Sequence, residues 1–267
     1  MASGEIIVTA GLAGGAYIAQ QLFGKTLAEM GDDLNKVYKA NRDKLLDKAA
    51  RRVADPNDGA QANLRVARDV IWNGAVTDDE VCAEYFGGLL AASRSVDGKD
   101  DSALIYVDCI KALSSKQLHL HFVIYDGLQD QLIKAAKSIN PGMQDELSLL
   151  EVWFSSLQLE HLGLKPDIDL NVLHRQGLVS GFEKKSHIVG EKMLPYVKVN
   201  PTTFGILLYA AALNSLQSWR MYSNSKFAQT SEIKVPFLKA STLEELCALA
   251  GLAPHPPTGS DVPATGI

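Results

Sequence analysis

Residues 27–53 read LAEMGDDLNKVYKANRDKLLDKAARRV, and their periodicity constrains the fold more than any other feature of the chain. Leu27, Leu34, Val37, Tyr38, Leu45 and Leu46 fall on one stripe of a 3.6-residue repeat, and charges fill the remaining surface. DPNDG at 55–59 stops that helix, because Pro and Gly break the backbone pattern. Residues 60–75 resume it. TDDE at 77–80 reads as a capping box: Thr77 caps the next helix, Glu80 reaches back, and the acidic run suits the positive end of the helix dipole. That helix runs to about Arg94. SVDGKDD at 95–101 is a loop, 102–113 a helix, and Ser114 or Ser115 caps a further helix to about Ile139. NPG at 140–142 turns the chain into another apolar-faced helix over 145–162.

The pattern changes near Gly163. A short helix at 169–176 ends at Gly177, strand-like LVSGF follows, then a polar basic loop, then strand-like YVKV. NPTTFG starts the last long helix. A helix followed by a hairpin that leads into a helix is the outline of a winged-helix unit. The expected fold is therefore mainly α, a multi-helix domain followed by a winged-helix-like α+β unit with a short β-hairpin. The segments are an uncharged Gly/Ala-rich N-terminal helix over 1–26, a helical domain over 27–162, the winged-helix-like unit over 163–225, and a loose tail over 226–267. STLEELCALAGLA at 241–253 makes a short capped helix, and the Pro/Gly-rich residues after it have little to bury. No repeat at solenoid period is present.

Hydrophobic residues make up 46% and charged residues 21% of 267, so a sizeable core is available without a cofactor to hold it. The net charge of −5 argues against non-specific nucleic-acid binding but leaves room for a local basic patch. Cys82, Cys109 and Cys247 are odd in number, far apart and without metal-like spacing. They read as small buried residues in a reducing compartment rather than as disulfides or a zinc site. The N-terminus has no basic region of a secretory signal.

AQQLFGKT at 19–26 fits the loosest form of the phosphate-binding loop. Gln20, Gln21, Leu22 and Phe23 stand where a phosphate cradle needs flexible backbone, and no later strand ends in a magnesium-binding Asp. The string reads as helix. His119 and His121 in HLHF would point about 200° apart on a helix and cannot share a metal. They read as one exposed and one near the core. Asp167 and Asp169 in DID stand where helix capping accounts for them better than metal ligation. Asp78, Asp79, Asp100 and Asp101 sit in caps and loops. No nucleophile elbow or Cys–His pair is present, so no catalytic, cofactor or metal residue is assigned.

Two contact regions remain. His174, Arg175, Lys184, Lys185 and Lys192 cluster around the proposed wing, where they suit phosphates or, better in an acidic chain, a protein partner. Ile6 to Gly24 carries no charge, and Gly11, Gly14, Gly15 and Ala19 would allow close helix contact. That segment suits packing or self-association better than membrane insertion, since Gln20 and Gln21 make it weakly apolar.

Four stretches in order resemble the Abi-alpha family, bacterial proteins associated with abortive infection, the phage-triggered shutdown of the host cell. They are the Gly/Ala-rich start leading into NRDKLLDKAARRV, DDEVCAEYFGGLLAASR at 78–94, LIYVDCIKALSSKQLHLHFVIY at 104–125, and DLNVLHRQGLV followed by YVKVNPTTFGILLYAAAL. Together they cover about residues 10–215. The insertion after Gly181 and the Pro-rich tail depart from the family pattern. The resemblance implies a phage-defence setting in the bacterial cytoplasm and supplies no catalytic residues. The expected function is non-enzymatic, through protein–protein interaction or self-association. A membrane-perturbing effector using residues 6–24 and a nucleic-acid binder using the winged-helix-like unit are the alternatives.

Overall fold

The computed structural model describes residues 36–55, 57–227 and 239–252. The string at 19–26, the uncharged segment with Gly11, Gly14, Gly15 and Ala19, and the Pro-rich end lie outside the described residues. Helix α1 spans 36–51. Its buried stripe is Asn41, Leu45, Lys48 and Ala49, while Val37 and Leu46 of the expected stripe are exposed. Asn41 sits in this stripe because its Nδ2 donates to the Ala75 carbonyl at 3.3 Å, and Lys48 because α1 meets carboxylates on α3 (Glu80–Ala92). Lys48 Nζ lies 2.5 Å from Glu80 and 2.7 Å from Glu84, Lys44 reaches Glu80 at 2.7 Å, and Arg52 pairs with Glu84. The two lysines hold the Glu80 carboxyl below the usual range.

Helix α3 is buried continuously from Val81 to Ala91. It can be, because Gly87 and Gly88 let other backbones approach: a Cβ on Gly88 would overlap the carbonyl of Ala212. Around it pack α2 (Leu64–Gly74), α4 (Leu104–Lys111), α5 (Ser115–Lys134) and α9 (Thr203–Ala212). Helix α5 starts at a full capping box between Ser114 and Gln117, and α9 starts where Thr202 Oγ1 accepts the Gly205 amide at 3.0 Å. Gly205 is also a close approach, since a Cβ there would overlap the Tyr125 hydroxyl.

Strands β1 (Gln61–Ala62) and β2 (Arg94–Ser95) form a small antiparallel pair. The main sheet is antiparallel and takes the order β4–β5–β3–β6, from β3 (Val152–Ser155), β4 (Val179–Val189), β5 (Lys192–Pro201) and β6 (Lys239–Ala240). Helices α6 (Gln144–Ser148), α7 (Ser156–His161) and α8 (Pro166–Arg175) complete this half. Strand β3 covers β5 only from Tyr196 to Val199, so the hairpin beyond Pro195 projects past the third strand. One core cluster runs from Leu45 to Phe227 through helices and sheet alike. A smaller one, with Trp153, Leu194, Tyr196, Leu246 and Cys247, lies where α10 (Leu243–Leu249) covers the other sheet face. The described chain is thus an α-rich mixed fold with a small antiparallel sheet.

Several expectations need correction. The helix expected over 145–162 is three elements, α6, β3 and α7, because Val152–Ser155 pair with both β5 and β6. Thr77 does not cap α3; Asp79 does, accepting the Cys82 amide at 3.0 Å, and Glu80 turns to the lysines of α1. The polar basic loop is strand almost to its tip, paired from Phe182–Val199 to Val189–Lys192 around a turn at Gly190 and Glu191. Helix α5 ends at Lys134, five residues before Ile139, in a motif where the Lys137 amide donates to the Leu132 carbonyl and Ala136 takes φ 47°. Helix α8 starts at Pro166, ahead of the expected 169.

Candidate functional site

The hairpin and the two helices before it gather most of the sequence-expected contact residues. Successive strand residues face opposite sides. Lys184 therefore faces α7 and α8, where its Nζ lies 2.8 Å from Asp167 and 3.3 Å from Glu160. Lys185 faces the other side, beside Glu183, with which it pairs. Glu183 also holds Lys198 at 3.2 Å, and Lys198 reaches Glu151 at 2.9 Å and lies 5.4 Å over the Trp153 ring. These contacts raise the ammonium groups of Lys184 (through Asp167), Lys185 (through Glu183) and Lys198 (through Glu151), and lower the Glu183 carboxyl.

His174 and Arg175 end α8, where positive charge suits the helix dipole. The His174 ring meets Phe182 edge-on at 6.3 Å, which ties α8 to β4. Lys192 is exposed beside the hairpin turn. The structure thus brings His174 and Lys184 to one face, leaves Arg175 exposed at the end of α8, and places Lys185 and Lys192 on the other face. Lys184 and Lys185 cannot grip the same run of phosphates, and each already meets a carboxylate. Past these charges, Ile188 and Met193 lie directly opposite each other and are 69% and 64% exposed. Sequence reading placed both in the polar loop; Ile188–Val189 and Met193–Leu194 are adjacent apolar pairs, so no alternation marked the strand.

The other candidates are structural. His121 is fully buried, its Nδ1 2.5 Å from the Tyr85 hydroxyl, and its Nε2 faces the Gly205 backbone without a well-formed hydrogen bond. Burial pushes its imidazole down to about 3, so it stays neutral. His119, two residues earlier, is half-buried instead of exposed. Asp167 and Asp169 lie inside α8 and not ahead of it; Asp169 is buried and reaches back to accept the Lys165 amide at 2.8 Å, while Asp167 pairs with Lys184. Cys82, Cys109 and Cys247 are buried free thiols, and burial raises Cys82 to about 12 and Cys109 to about 11. Among the described residues no group of three or more His, Cys, Asp or Glu is arranged to hold a metal ion. No protein-family model, no curated protein and no solved structure matches this chain.

Proposed function

We propose that this chain is a phage-defence protein of the bacterial cytoplasm, of the kind its resemblance to the Abi-alpha family implies, acting without chemistry of its own by self-association. The supporting observation is the hairpin tip. An exposed apolar pair, Ile188 and Met193, projects beyond the third strand on the same face as charges of both signs, Lys184, Glu160 and Asp167. A contact between identical surfaces must be complementary to itself, and mixed charge around an apolar centre meets that condition. A nucleic-acid face requires net positive potential, which this one lacks.

We also read α5, β3, α7, α8 and the β4–β5 hairpin as a winged-helix-like unit. Its support is the element order and the pairing of β3 on the second hairpin strand, β5. Helix α8 would be the reading helix of a DNA-binding version. Its first turn carries Asp167 and Asp169, which oppose phosphate. No helix among the described residues is long and apolar enough to cross a membrane.

Phage challenge of cells expressing the chain tests the proposal. Wild type is expected to lower phage yield, and Ile188→Glu with Met193→Glu is expected to abolish that protection at equal expression and unchanged melting temperature. Full protection by the double variant, or turnover of nucleotide or nucleic acid by the purified protein, contradicts it.

A further inference from the structure

Helix α2 buries one side and leaves the other bare. Val66, Val70 and Gly74 face the core. Leu64, Arg68 and Trp72 follow one another at four-residue spacing along the opposite side. Leu64 is 82% exposed and Trp72 70%, and Val76, just past the helix, is exposed as well. A row of large apolar side chains facing solvent marks a contact surface. The arginines on this side are already paired, Arg68 with Asp69 and Arg65 with Asp101, each at 2.8 Å. The face therefore offers apolar area and little free charge, and the occupant that matches it is apolar and uncharged.

The chain enters the described fold at the end of this face. Asn41 Nδ2 donates at 3.3 Å to the carbonyl of Ala75, the residue that closes α2. Val37, one turn of α1 earlier, is exposed. Everything before residue 36 thus joins α1 beside the C-terminal end of α2. That part of the sequence contains Ile6 to Gly24, which carries no charged residue. Residues 25–35 can span about 35 Å when extended. Leu64 to Trp72 covers only about 12 Å of helix, so the uncharged stretch reaches the whole face.

We propose that Ile6 to Gly24 docks on the outer face of α2, against Leu64, Trp72 and Val76 of the same chain. The tether holds it near the face at high effective concentration, which favours it over a second copy. The contact is independent of the hairpin tip, and either can fail without the other.

A photoreactive benzophenone amino acid placed at Arg68 of the full chain, between Leu64 and Trp72, reports the occupant. After irradiation, peptide mass mapping is expected to find cross-links to residues 6–24. A mixture of ordinary and heavy-isotope chains is expected to show them within one chain. Leu64→Glu with Trp72→Glu puts charge on the face and is expected to cut the yield at least about tenfold, since burial of two large apolar side chains is worth more than that factor. Both positions are exposed, so the circular dichroism of the variant is expected to match wild type. No cross-link to residues 6–24, cross-links only between two copies, or a yield that the double variant leaves unchanged overturns the inference.

Discussion

The hydroxyl of Tyr125 accepts the amide hydrogen of Thr202 at 3.0 Å. The same hydroxyl donates to the Leu178 carbonyl. One buried side chain on α5 thus fixes the point where the hairpin begins and the point where it hands over to α9. The backbone carbonyl of Tyr125 in turn accepts from the Tyr222 hydroxyl. Tyr125→Phe keeps the ring and leaves a buried donor and a buried acceptor unmet, so it is expected to cost about 1–3 kcal/mol. Urea denaturation measures this; a loss under about 0.5 kcal/mol would mean that the hydroxyl does not hold the hairpin in place.

His121 makes stability depend on pH in a defined window. Its imidazole falls from 6.5 to about 3 on burial, so between those values the unfolded chain binds the extra proton. The stability is complete above pH 6.5 and is lost as pH falls toward 3, at about 1.4 kcal/mol per unit. About 2 kcal/mol is expected to be gone by pH 5. Glu80, held low by Lys44 and Lys48, adds its own loss only as pH falls below its ordinary 4.5. His121→Gln is expected to flatten the slope between pH 6.5 and 5 in denaturant titrations. An unchanged slope would contradict a neutral buried imidazole.

Glu84 and Asp101 make ion pairs of unequal worth. The Glu84 carboxylate is shared by Lys48 and Arg52, and its side chain is 6% exposed. Asp101 meets Arg65 with both side chains more than half exposed. Glu84→Gln leaves buried charge uncompensated and is expected to cost about 3 kcal/mol. Asp101→Asn is expected to cost under about 1 kcal/mol. Equal losses in thermal or urea unfolding would show that the α1–α3 network is solvated.

Much of the helical half was legible because each helix there carries local signals. Ser114 or Ser115 marked the start of α5, NPTTFG that of α9 and STLEEL that of α10, and the structure places the caps at Ser114, Thr202 and Thr242. The sheet was less legible. Every residue of Val152–Ser155 is buried, so the strand shows no alternation and reads like the apolar face of a helix. The hairpin was misjudged for the opposite reason. Most of its far end is exposed, so Lys184, Lys185 and Ser186 looked like loop although each pairs across to β5. The partner of Lys48 on α3 and those of Lys184 on α7 and α8 are brought in by tertiary packing, and local spacing carries no trace of them.

The central claim is that the hairpin tip joins two copies of the chain, and light scattering on the eluting protein tests it most directly. Wild type is expected at twice the chain mass, and Ile188→Glu with Met193→Glu at the mass of one chain, with matching circular dichroism. A wild-type monomer at micromolar concentration, or a double variant that remains a dimer, would contradict the account.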